Sequence, residues 1–214
     1  MMERTIRVAT HGRYLIDGPD SPSLLVIGFH GYAESAAVEL ERLKSIPGSD
    51  RWLIVAVQGL HLFYRRRTNE VVASWMTSQD RDLAIADNIA YTAAVLDAVV
   101  REVQAPLGIV LSGFSQGVAM AYRCAAHTNH SIRGLISLGG DVPPELDATA
   151  LGKIPAALLG RGDSDDWYTA AKFEADEKRM REAKVEVRTV QFQGGHEWTE
   201  VFRQSAADFL ESRL

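Results

Sequence analysis

Six short apolar runs, most of them separated by stretches with helical spacing, constrain this chain more than any other feature. They are "LLVIGF" (24–29), "WLIVAVQG" (52–59), "LGIVLSG" (107–113), "IRGLISLGG" (132–140), "IPAALLGRG" (154–162) and "VEVRTVQF" (185–192). Short apolar runs of this kind mark strands covered on both faces. Residues 35–46, 80–103, 116–127, 169–183 and 197–214 have helical periodicity. Strands separated by helices of that length pair in parallel through right-handed crossovers. At the N-terminus, "RTIRVAT" and "RYLID" predict a hairpin turning near His11 and Gly12. Residues 60–79 read as irregular. The expectation is one α/β domain over 1–214, with a mostly parallel central sheet, an antiparallel N-terminal edge and no large lid.

Composition narrows the function classes. A net charge of −5 gives no reason to expect a nucleic-acid partner. One cysteine, Cys124, excludes a disulfide framework and a Cys-rich metal site, and its apolar setting reads as core filler. No zinc-type H-E-x-x-H spacing occurs, so no metal and no cofactor are expected. The charged, alternating N-terminus lacks the apolar region of a signal peptide. No run reads as the ~18 apolar residues of a membrane span. A cytoplasmic location without stable membrane insertion is therefore expected. A homodimer is compatible with the sequence, which does not demonstrate one.

Four strand ends carry residues suited to one chemistry, and in an open parallel sheet such groups collect beyond the carboxyl ends of strands. "GFSQG" (113–117) places Ser115 on a strand-to-helix turn, where flanking glycines let strand and helix approach closely. "GFHGYAES" (28–35) follows the first buried strand, and the Tyr32 amide with that of Gln116 would form an oxyanion hole. "LLGRGDSDDWY" (158–168) offers Asp163, Asp165 and Asp166 as carboxylates to orient a histidine; the competing reading makes them helix caps. "GGHEW" (194–198) swings His196 over the sheet end. The chain order Ser, Asp, His matches the α/β-hydrolase arrangement of catalytic groups.

With those residues in hand, the chain resembles the phospholipase/carboxylesterase family of α/β-hydrolases, which includes carboxylesterases and acyl-protein thioesterases. The likeness rests on "HGY" (30–32), "GFSQG", the acidic loop and "GGH" (194–196). It implies a three-layer α/β-hydrolase fold and puts the triad acid at Asp165, with Asp163 next in line. Arg161 replaces the histidine usual in that family's acidic loop, and Tyr168 and Thr169 stand where an apolar residue and proline are expected.

The expected activity is hydrolysis of small to medium carboxylic esters through an acyl-enzyme on Ser115, Asp165 and His196, without a metal. Thioester or peptide hydrolysis on the same groups, or a non-catalytic binding role, are the alternatives. Phe63, Tyr64, Trp75 and Met76 are the candidate apolar substrate wall, although such aromatics serve equally as core. Arg65, Arg66 and Arg67 read as a solvated loop face.

Overall fold

The computed structural model describes residues 1–103 and 108–214. Leu107, expected to open a strand, lies outside the described residues. The elements follow the expected alternation. Strand β1 is Arg13–Asp17, β2 Leu24–Phe29, helix α1 Ala36–Lys44, β3 Trp52–Gln58, β4 His61–Tyr64 and β5 Val71–Ser74. Then come α2 Arg81–Val103, β6 Gly108–Phe114, α3 Gln116–His127, β7 Ile132–Leu138, α4 Ala148–Leu151 and β8 Ala156–Gly162. Helix α5 Ala170–Glu182, β9 Glu186–Phe192 and α6 Glu200–Glu211 complete the chain.

Seven strands form the central sheet in the order β1-β3-β2-β6-β7-β8-β9. All neighbours are parallel except β1, which runs antiparallel along β3. The edge is antiparallel as expected, but by a different pairing: residues 1–12 form no strand and lie exposed, so the predicted N-terminal hairpin is not present. Alternation from Thr5 to Thr10 marked a surface segment, not a strand, because no partner strand offers it an apolar face.

Period-2 alternation divides the buried strand residues between two helix layers. On one side Leu25, Ile27 and Phe29 pack with Val95 and Leu96 of α2 and Tyr122 of α3. On the other, Leu24 and Val26 pack with Leu43 of α1 and with Phe202 and Phe209 of α6. Helix α6 forms because Thr199 caps the Phe202 amide and Phe202, Ala206, Phe209 and Leu210 recur on one face. Two expectations need correction. Helix α2 is long and apolar enough by composition to cross a membrane; here its Asn88, Thr92, Val95, Leu96 and Val99 face is buried. Residues 60–79, read as irregular, contain the antiparallel β4–β5 hairpin. Between β7 and β8 the only helix is the four-residue α4, and no lid covers the sheet end.

Helix α1 carries a charge cluster that braces the loop after β2. Arg42 bonds Glu34 through both terminal nitrogens, at 2.6 and 3.0 Å, and also bonds Glu39. Glu34 in turn accepts the Gly31 amide at 2.7 Å. Glu39 is fully buried and its Oε1 has no partner among the described residues. Burial pushes its carboxyl up from 4.5 to about 7, against the opposing pull of Arg42. Between those values the folded chain keeps a proton that the unfolded chain has released, so this group lowers stability as pH rises from 4.5 to about 7. Glu39→Gln removes that slope. The urea midpoint of E39Q should therefore gain on that of the unmodified chain between about pH 5 and pH 8. Parallel pH profiles for the two proteins would rule out the burdened carboxyl.

Candidate active site

The sheet register sets the site. Phe29 pairs with Gly113, Phe114 with Leu138, Leu138 with Gly160 and Gly162 with Phe192. Five strands thus end on one line, and the loops after β2, β6, β8 and β9 carry His30, Ser115, Asp165 and His196.

Ser115 sits between β6 and α3 at φ 53°, ψ −120°. A non-glycine residue rarely takes this conformation, which costs on the order of 1–3 kcal/mol. Its amide donates to Leu138 O at 2.9 Å, which ties the turn to the neighbouring strand. The two glycines of the motif are steric necessities. A Cβ on Gly117 would lie 1.9 Å from the Phe29 carbonyl oxygen, and one on Gly113 would lie 2.6 Å from Val118 Cα.

Of the three candidate carboxylates it is Asp165, the one the family resemblance implies, that meets the histidine. His196 Nδ1 lies 2.8 Å from Asp165 Oδ2. The other carboxylate oxygen accepts the amides of Trp167 and Tyr168, both at 2.9 Å. Asp165 is buried, whereas His196 is partly exposed. Asp163 points elsewhere, accepting the Gly194 amide and the Ser164 hydroxyl. Arg161, the unexpected residue at the head of this loop, donates to Asp163 O, Tyr168 O and Gln191. It therefore clamps both ends of the turn that presents Asp165. The His196 ring is fixed by Phe114, 5.0 Å away between centroids, and by Gly139, where a Cβ would come within 2.9 Å of the imidazole.

Two amides face the same space. Among the described residues, neither the Tyr32 nor the Gln116 backbone N–H has a hydrogen-bond partner. The amides on either side of Tyr32 are engaged, Gly31 N with Glu34 and Ala33 N with Ala73 O, as is Ser115 N before Gln116, with Leu138 O. His30 is not a free group. It accepts the Gly59 amide at Nε2, which puts the proton on Nδ1 toward Gly31 O, and burial holds its pKa below the ordinary value.

A cleft of about 610 Å³ is lined by Ser115, His196, Tyr32, Gln116 and Met76 among others. No hydrogen bond joins Ser115 Oγ to His196 among the described residues, although both open on this cleft. Of the expected substrate wall only Met76 lines it. Phe63 stacks on Tyr32 at 5.7 Å, outside the cleft lining, and Tyr64 is exposed.

Trp75 is fully buried and donates its indole N–H to His30 O at 2.8 Å, so it is framework and not wall. Its segment does a different job, which the sequence did not disclose. Residues 73–76 bond Ala33 and Glu34 on one side and the Gln116 side chain on the other. They bracket both residues whose amides are free. Trp167 stands exposed at the cleft, and Trp198 packs edge-on against Phe202. Arg65 pairs with Glu70 and donates to Ala33 O, leaving the arginine run on the surface. Cys124 is buried core, its thiol pushed up to about 12.

A second cleft, about 720 Å³, lies around the start of β7, far along the sheet from Ser115. Its polar side chains are already engaged: His130 with Asp97, Lys153 with Ala126 O, Arg133 with Arg213 O and Arg213 with Glu186.

No curated protein matches the chain in sequence. Among solved structures, esterase PE8 superposes over 96% of this chain and 100% of its own, with 24% identity and a TM-score of 0.72. The Bacillus cereus carboxylesterase covers 95% of both chains at 16% identity and a TM-score of 0.72. Zea mays acyl-protein thioesterase 2 covers 95% of this chain and 99% of its own at 15% identity and a TM-score of 0.71. At these identities the likeness is one of fold. The profile of the phospholipase/carboxylesterase family, however, matches residues 15–214. With nearly the whole chain inside that match, this protein belongs to the phospholipase/carboxylesterase family of α/β-hydrolases.

Proposed function

We propose that the chain is a serine hydrolase that cleaves carboxylic esters of small to medium acyl chains through a covalent acyl-enzyme. The observation that carries this reading is the 2.8 Å contact of His196 Nδ1 with a buried Asp165, on a cleft that Ser115 also lines. In that mechanism Asp165 fixes the tautomer, leaving Nε2 of His196 as the base toward Ser115. Ser115 Oγ loses its proton to Nε2 as it attacks the ester carbonyl. The hydrogen bond between them tightens only when substrate completes the geometry. The developing oxyanion takes the free amides of Tyr32 and Gln116, each worth about 3 kcal/mol on the barrier. The imidazolium then protonates the departing alcohol, and water repeats the sequence on the acyl-enzyme. The absence of a lid between β7 and β8 favours soluble esters over lipid aggregates.

Hydrolysis of p-nitrophenyl esters from acetate to decanoate tests the assignment. Ser115→Ala should lower kcat by about 10⁴-fold or more and abolish labelling by a fluorophosphonate probe. An S115A protein that still turns over ester at the original rate would sink the nucleophile assignment. Asp165→Asn keeps the shape of the acid loop but presents the wrong tautomer partner to His196. Its kcat should fall about 10⁴-fold with the fold intact by circular dichroism. A loss under tenfold would mean that another carboxylate orients the imidazole.

A further inference from the structure

Helix α3 runs away from Ser115, and its cleft-facing side carries Gln116, Ala119 and Arg123. Spacings of three and four keep these residues on one face. At the helical rise, Arg123 stands about 10 Å farther along the axis than Gln116. Its side chain is 1% exposed, an unusual place for a guanidinium. Nε donates to Glu145 Oε1 at 2.7 Å, and Nη2 lies 2.6 Å from that same oxygen without completing a hydrogen bond. Among the described residues, Nη1 finds only the thioether sulfurs of Met76 and Met120, at 3.9 and 4.0 Å. A group with five N–H donors thus has one carboxylate oxygen for company. Buried charge left this sparsely bonded is unfavourable unless a further acceptor completes it.

A second cation stands beside it. Arg81 opens α2, in the first turn, where the positive end of the helix disfavours it. It lines the same cleft, and its recorded side-chain contact is Nη1 to the Met76 sulfur at 3.0 Å. Among the described residues it forms no ion pair. Burial holds the Arg123 pKa below its ordinary value, and the Arg81 charge acts in the same direction, so the two cations sense each other. Nearer the mouth, Asp141 and Lys172 pair at 3.3 Å and offset one another. The remaining charge is positive and concentrated at the Arg81 and Arg123 end. Met76 and Pro143 supply apolar wall to the same cleft.

We infer that this end of the cleft binds a carboxylate carried by the substrate, so that the preferred ester is anionic, with the charge about 10 Å from the scissile bond. The inference rests on the serine-hydrolase reading and narrows it to a substrate class. A carboxylate matches the fork of a guanidinium. It takes up the idle donors of Arg123 while Arg81 closes on its outer oxygen. A chain of roughly six to eight carbons spans the distance that the helix rise sets.

Two matched pairs separate the outcomes: 4-nitrophenyl octanoate against mono-4-nitrophenyl suberate, with the charge on the acyl arm, and heptyl octanoate against 6-carboxyhexyl octanoate, with the charge on the alcohol arm. One charged ester should exceed its neutral counterpart in kcat/KM by about tenfold or more, mainly through KM, and the advantage should shrink with added salt. In Arg81→Met, an exposed position away from the core, the ratio of charged to neutral kcat/KM should fall to about threefold or below, and Arg81→Lys should restore part of it. Octanoate turnover with no advantage for either charged ester overturns the inference alone. So does an advantage that survives Arg81→Met undiminished. If no ester is cleaved, the hydrolase reading itself fails, and this inference with it.

Discussion

Everything around the site depends on Ser115 being held at a left-handed backbone angle between a strand and a helix. That angle is maintained by neighbours on both sides: Leu138 takes its amide, and the glycines at 113 and 117 let α3 press against β6 and β2. Gly117 leaves no room even for a methyl group, since the Phe29 carbonyl occupies the place a Cβ would need. The contact also fixes the distance between α3 and the loop after β2. The Gln116 and Tyr32 amides are consequently brought to one cleft by the packing that strains the serine. Strain of about 1–3 kcal/mol is small beside the burial that the surrounding layers provide, so it persists without loosening the fold.

The other loops show how far a site on irregular backbone can be stiffened by side chains beneath it. Arg161 fastens both ends of the acid turn, and Arg42 with Glu34 fastens Gly31. The 73–76 segment ties the two amide-bearing residues to each other through Ala73, Trp75 and the amide side chain of Gln116. Asn88 of α2 then holds Trp75 O at 2.7 Å, connecting this bracket to the helix layer. Apart from the Arg42–Glu34 pair, each of these contacts satisfies a backbone group that would otherwise be costly. The same contacts position the site and stabilise the fold.

The sheet and the elbow are legible in the sequence for a physical reason, whereas the choice of Asp165 among Asp163, Asp165 and Asp166 rests on the family resemblance. Strands buried on both faces leave uninterrupted apolar runs, and glycines at a steric contact leave a fixed spacing. Both marks are local in the chain. The Arg161–Gln191 contact and the 73–76 bracket were not legible, because their meaning lies in partners 30 to 42 residues away. Aromatic residues in an irregular segment look alike whether they line a cleft or fill a core, and Trp75 does the second. The alternation of residues 5–10 misled for the opposite reason, since a period of two requires a buried face to become a strand.

Two buried ions, Asp165 behind His196 and Arg123 on the cleft itself, differ in how fully they are bonded. Asp165 has two backbone amides on one oxygen and His196 on the other, so its charge is fully spoken for. A carboxylate bonded on both oxygens in this way is fixed in orientation beside the His196 ring. Arg123 has a single carboxylate oxygen and a pair of sulfurs. The chain thus saturates one buried ion and leaves the other, on the cleft wall, short of acceptors among the described residues; a bound anion is the group that would supply the bonds Arg123 lacks.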